Sequence, residues 1–184
     1  MKFKTTILLL ICGFNALLFL AFDQSTSMPD LGEAPGTIEF IGDAGSPNKM
    51  YFEKWNFTEA SMADDQIENL HLVATIDISS IKGDWKDLVK SIKKKKDYFN
   101  VADFPTAQVE VKGAEKQADG SYNSEVMLTL KKFTKPVLVN FTMTKEKPYV
   151  VEGTAEITRK KFGFTGKGPK PTVPVTFMAT LPFE

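Results

Sequence analysis

The chain has 184 residues, 42% of them hydrophobic and 25% charged, and its 23 basic and 23 acidic residues cancel to a formal net charge of zero. That balance, with basic residues that are almost all Lys, excludes the electrostatic and stacking pattern of a nucleic-acid binder. A single His (His71), a single Cys (Cys12) and a single Arg (Arg159) rule out a Cys/His zinc centre by count and leave little equipment for catalysis.

Lys2 and Lys4 precede a run from Thr5 to Phe22 without a charge, within which residues 7–11 and 16–22 are wholly apolar. Residues 1–22 therefore read as an export signal or an uncleaved N-terminal anchor, which also offers attachment to a membrane. Both outcomes stay open. The run of about 18 residues is at the short end of what spans a bilayer, and residues 20–23 show no small-x-small cleavage site. Lipidation of Cys12 is disfavoured by Ile11, which stands where a small residue is wanted. The expected location is outside the cytoplasm, periplasmic if the source is bacterial, either exported or tethered to the inner membrane. Without residues 1–22 the chain keeps 21 basic and 23 acidic residues, a net charge of −2, and no Cys. Disulfides and thiolate chemistry are thus excluded beyond residue 22.

Residues 23–35, rich in Ser, Thr, Pro, Gly and acid, read as a linker, and residues 36–184 as one domain. Eight strand-like segments are predicted in it, at 37–41, 50–57, 67–81, 107–111, 122–130, 136–144, 149–158 and 173–181. Apolar residues recur at every second position: Leu72, Ala74, Ile76 and Ile78; Val126, Leu128 and Leu130; Val137, Val139, Phe141 and Met143; Val173, Val175, Phe177 and Ala179. A period of two places each set on one face of a sheet. Turn residues separate the segments at 118–120, 145–148 and 166–171.

One helix follows the third predicted strand. Asp84 is read as its N-cap, with Asp87 in the first turn. Trp85, Leu88, Val89 and Ile92 form an apolar stripe that should lie against one end of the sheet. Lys93 to Lys96 sit at the helix C-terminus, where positive charge is favoured. With Lys86 and Lys90 they also suit contact with anionic lipid, although a solvated helix end is the favoured reading, since the run already has a structural reason there. Eight antiparallel strands with one buried face make either a sandwich or a closed barrel, and periodicity does not choose between them.

Five pieces in the stretch 76–164 carry a family resemblance: IDISSIKG (76–83), DWKDLVKS (84–91), DYFNVADFPTAQV (97–109), LTLKKFTKPVLVNF (128–141) and ITRKKFGF (157–164). In order and spacing they resemble the YceI-like family of polyisoprenoid-binding, lipocalin-like barrels. The chain departs from the family phrases at Lys132 (a turn Gly in the family), Thr158 and Lys161 (both Asp in the family). The resemblance implies an all-β fold, an eight-stranded antiparallel barrel with one short helix. It also implies a long apolar pore that holds a polyisoprenoid, an isoprenoid quinone or a similar amphiphile, with no cofactor.

Candidate pore-lining residues are Phe52, Phe57, Leu72, Ala74, Ile76, Ala107, Val109, Leu128, Phe141 and Phe177; Ala74, Ala107 and Ala179 are small enough on bulky faces to leave space. Their plain alternative is a filled core, which would make the chain a structural or interaction module. Arg159 is read either as a head-group contact or as half of a structural ion pair with an acid. His71 reads as a surface or rim residue, and Asp64 and Asp65 as solvated loop residues. No G-x-S-x-G, G-x-G-x-x-G or Walker sequence is present. The expected activity is binding, with no catalytic and no metal-ligating residues. The oligomeric state is not set by the sequence, and a homodimer is compatible with it.

Overall fold

The computed structural model describes residues 31–42, 48–166 and 171–183. The predicted export or anchor segment, and the linker up to residue 30, lie outside the described residues.

Among the described residues, eleven strands and one α-helix follow one another: β1 (Gly36–Ile41), β2 (Lys49–Phe52), β3 (Trp55–Met62), β4 (Leu70–Asp77), β5 (Ile81–Gly83), α1 (Lys86–Lys94), β6 (Thr106–Lys112), β7 (Glu115–Lys116), β8 (Tyr122–Leu130), β9 (Phe133–Met143), β10 (Val150–Thr158) and β11 (Thr172–Thr180). They form one antiparallel sheet in the order β3-β4-β6-β8-β9-β10-β11-β1-β2-β5, with the two-residue β7 paired to β8. The sheet curls strongly into a half-barrel around a single apolar interior. Its alternation follows the sequence: along β9, Val137, Val139 and Phe141 are buried while Leu138, Asn140 and Thr142 are exposed.

The path through the sheet contains ten strands, not the eight expected, because two predicted strands are each broken. The segment 67–81 begins as a 3-10 turn (Ile67–Asn69), runs as β4, and is interrupted by a second 3-10 turn, Ile78–Ser80. Asp77 and Ser80 cause that interruption. The buried Asp77 carboxylate accepts from the Ser79 N–H at 2.7 Å, and the Ser80 hydroxyl donates to the Asp77 carbonyl at 2.6 Å. Side chains that offer the backbone local partners compete with ladder bonds in this way. The segment 50–57 breaks opposite this point, at residues 53–54. There the Lys54 N–H donates to Ser80 Oγ at 3.0 Å and the Asp77 N–H to the Lys54 carbonyl at 3.0 Å. These bonds tie the break in one segment to the break in the other, beside the starts of β3 and β5, the two end strands of the sheet.

The helix also differs from expectation. Its N-cap is Trp85, not Asp84, and no side chain caps the first turn. Trp85 does not join the buried stripe but is 55% exposed; Val89 and Ile92 are buried and Leu88 is partly buried. At the C-terminus of α1 the carbonyls of Ile92 and Lys93 accept from the N–H groups of Phe99 and Val101 at 3.1 and 2.8 Å. Those bonds fix the segment 98–101 across the helical end of the half-barrel. At the other end, Gly113 approaches Glu68 so closely that a Cβ would fall 2.5 Å from the Glu68 carbonyl oxygen. Its φ of +79° is one that glycine adopts without penalty.

Candidate functional site

The half-barrel encloses an apolar cavity of about 350 Å³. Its lining includes Phe52 from β2, Phe57 from β3, Leu72, Ala74 and Ile76 from β4, Ala107 and Val109 from β6, Leu128 from β8, Phe141 from β9 and Phe177 from β11. Register explains the grouping. Ala74 faces Val109 and Ile76 faces Ala107 across β4 and β6, and Val109 faces Leu128 across β6 and β8. A run of inward side chains therefore passes from strand to strand. Ala74, Ala107 and Ala179 all lie on the lining, where each presents only a methyl group.

An aromatic wall at the helical end was not foreseen. Phe99 makes edge contacts with Phe40, Phe52 and Phe164, at centroid separations of 6.2, 6.4 and 5.1 Å. Phe99 and Phe164 come from segments without a period of two, so alternation could not find them. Trp55, from β3, also lines the cavity and is 2% exposed; among the described residues its indole N–H has no hydrogen-bond partner.

Among the described residues, Arg159 is the one charged residue on the lining. It opens a 3-10 turn, Arg159–Phe162, directly after β10, and the wholly buried Phe162 anchors that turn. Its Nη2 donates to the Gly166 carbonyl at 2.7 Å and its guanidinium stands 6.0 Å from the centroid of the Tyr98 ring. Among the described residues no carboxylate pairs with it, so the structural ion pair weighed from the sequence is not seen there. Lys131 lies close by. Its Nζ donates to the carbonyls of Lys96 and Gly163 at 2.9 and 3.3 Å and sits 5.3 Å from the Phe164 ring centroid. Burial pushes the Lys131 ammonium below the ordinary lysine range, and the charge of Asp97 partly opposes that shift.

The residues set aside from the site lie elsewhere. His71 is on the outer face of β4, with Nε2 3.5 Å from Glu110 Oε1, and Lys112 approaches the same carboxylate at 2.9 Å. Asp64 and Asp65 are exposed, with Lys147 3.7 Å from Asp65. Among the described residues no three His, Cys, Asp or Glu side chains gather as metal ligands, and no helix is long and apolar enough to cross a membrane.

Comparison with known proteins accords with this geometry. The model of the YceI-like domain matches residues 35–181. The chain belongs to the YceI-like family. Among solved structures, this YceI-like chain is similar to Burkholderia cenocepacia BcnA (TM-score 0.69, 19% identity, covering 78% of this chain and 94% of that one). It is also similar to a Campylobacter jejuni YCEI protein (TM-score 0.62, 16% identity, 73% and 84%). A third neighbour is a polyisoprenoid binding domain from Saccharophagus degradans implicated in plant cell wall breakdown (TM-score 0.58, 12% identity, 80% and 94%). At these identities the likeness is one of fold. A search of curated protein sequences gave no match.

Proposed function

We propose that this YceI-like protein binds a long apolar chain, a polyisoprenoid, an isoprenoid quinone or a similar amphiphile, and sequesters or ferries it outside the cytoplasm. The observation that carries this reading is the apolar cavity with Arg159 on its lining. The family, and the polyisoprenoid-binding description of the S. degradans relative, support the ligand class. The apolar segment 1–22 supports the location.

The ten residues on the inward faces make the tail contacts, and Arg159 meets a polar head group at the helical end. A volume of about 350 Å³ falls within the roughly 300–1,000 Å³ of ligand-sized pockets. Burying a methylene is worth about 0.8 kcal/mol, so one five-carbon isoprene unit offers up to about 4 kcal/mol before association entropy is subtracted. A few buried units give useful affinity with no bond broken or made.

Native mass spectrometry of the protein purified from its own host, followed by solvent extraction, tests the proposal. The expected result is a co-purifying isoprenoid or long amphiphile. A protein that emerges empty, and that ignores isoprenoid quinones and fatty amphiphiles in titration, overturns it.

A further inference from the structure

The zero net charge hides a strong polarity along the half-barrel. At the helical end, residues 82–106, 131–132 and 159–166 carry twelve Lys and Arg against four Asp. At the opposite end, the connections 63–69, 113–121 and 144–149 carry six acids against three Lys. On α1, Lys86, Lys90, Lys93 and Lys94 recur at i, i+4, i+7 and i+8, forming one basic stripe, while Val89 and Ile92 are buried. Lys95 and Lys96 continue that charge. Among the described residues none of these six lysines is in an ion pair. Trp85 stands at the head of the same helix, largely exposed, and it also lines the cavity.

We propose that α1, with Trp85 at its start, is the face on which the protein docks to an anionic lipid bilayer, with the mouth of the cavity turned toward the membrane. The chemistry of the patch selects this occupant. Its charges are unpaired ammonium groups on flexible stems, which match a diffuse anionic surface and lack the planar fork that suits discrete carboxylate or phosphate partners. An indole prefers the boundary between head groups and acyl chains, and a Lys-rich face beside apolar residues is the mark of an interfacial helix. The acidic far end is repelled by the same surface, so the molecule meets it in one orientation. The proposal does not depend on which amphiphile the cavity holds.

The test uses the full chain, whose two tryptophans differ sharply: Trp55 is 2% exposed and Trp85 55%. The protein is mixed with phosphatidylcholine vesicles, with or without phosphatidylglycerol, that carry brominated acyl chains as fluorescence quenchers. Emission is expected to be quenched only when phosphatidylglycerol is present, and Trp85→Phe removes the quenched component. Raised salt and the exposed-face variant Lys86→Glu/Lys90→Glu/Lys94→Glu, checked for its fold by circular dichroism, should each weaken vesicle binding by about tenfold or more. Three results overturn the proposal: no quenching, equal quenching with neutral vesicles, or quenching that survives charge reversal. The last two mark attachment through the apolar residues 5–22. Loss of vesicle binding together with tight binding of an acidic protein would reassign the face to that partner.

Discussion

The guanidinium of Arg159 stands over the ring of Tyr98, and one short stretch of backbone fixes both. The Gly166 carbonyl accepts from Arg159, while the N–H groups of Thr165 and Gly166 both donate to the Asp97 carbonyl at 3.1 Å. A Cβ on Gly166 would fall 2.4 Å from Tyr98 Cζ, so the bare residue lets this turn lie flat against the ring. The arginine is thus held in place before any ligand arrives. Arg159→Met is expected to weaken binding of an amphiphile with an acceptor head group by roughly 10- to 100-fold, the loss of a charge-assisted bond of about 1.5–3 kcal/mol. A headless hydrocarbon of the same length should bind the wild type and the variant alike, and Arg159→Lys should restore part of the loss. Parallel titrations of the two ligands check this; equal losses for both would show that the arginine only holds up the cavity wall.

Ala74 and Ala107 face the cavity on adjacent strands, and bulk added there enters space that a tail would use. Ala74→Phe and Ala107→Phe are expected to abolish ligand uptake. Overpacking a filled core costs about 1–3 kcal/mol, and a void should reduce that cost. Ligand titration beside thermal melting separates the two effects. A variant that still binds fully, or one that unfolds, would indicate that these positions do not border usable space.

These alanines could be read from the sequence because they sit inside strands with a strict period of two, and the period alone assigns a face. The breaks at Asp77–Ser80 and at residues 53–54 were hidden. Ile78 keeps the alternation up to the turn and Ile81, three positions on, keeps the stretch apolar but out of phase, while the cause is two polar side chains bonding to nearby backbone, which hydrophobicity does not report. Trp85 was misassigned for the converse reason. It fits the helical stripe, but it occupies the cap with extended torsions (φ −94°, ψ 91°), where helical spacing no longer sets direction. Phe99 and Phe164 lie in irregular segments about 65 residues apart that meet only because the sheet curls. The phrases DYFNV and ITRKKFGF marked those segments as distinctive, yet nothing in either phrase says that they touch.

Phe162 and Gly163 hold the Arg159 turn from below. Phe162 is 0% exposed, and its truncation to Ala is expected to cost about 3–5 kcal/mol. For a domain of this size that corresponds to a fall in melting temperature of roughly 10 °C. Gly163 has φ +68°, and a Cβ on it would lie 2.6 Å from Phe133 Cε2. Gly163→Ala should therefore destabilise by about 1–2 kcal/mol from backbone strain, with the steric contact adding to it. Thermal melts check both, and an unchanged melting temperature for Phe162→Ala would contradict the anchoring role.

Acid should loosen the far end of the sheet through Asp119, in the turn between β7 and β8. Its Oδ1 accepts from the Ser121 hydroxyl at 2.7 Å and from the Ser121 N–H at 2.9 Å. These bonds, the hydroxyl first, hold the carboxyl below its usual value of 3.8. A carboxyl that is more acidic when folded stabilises the fold at pH above its unfolded value, and that contribution is lost as pH falls through the lowered folded value. Asp119→Asn should therefore melt slightly below the wild type at neutral pH. The gap should close as the pH drops below about 4, because there the native carboxyl is itself protonated. Melting both proteins across pH 2–7 measures it. A gap that persists unchanged in acid would mean that the turn depends on the shape of the side chain and not on its charge.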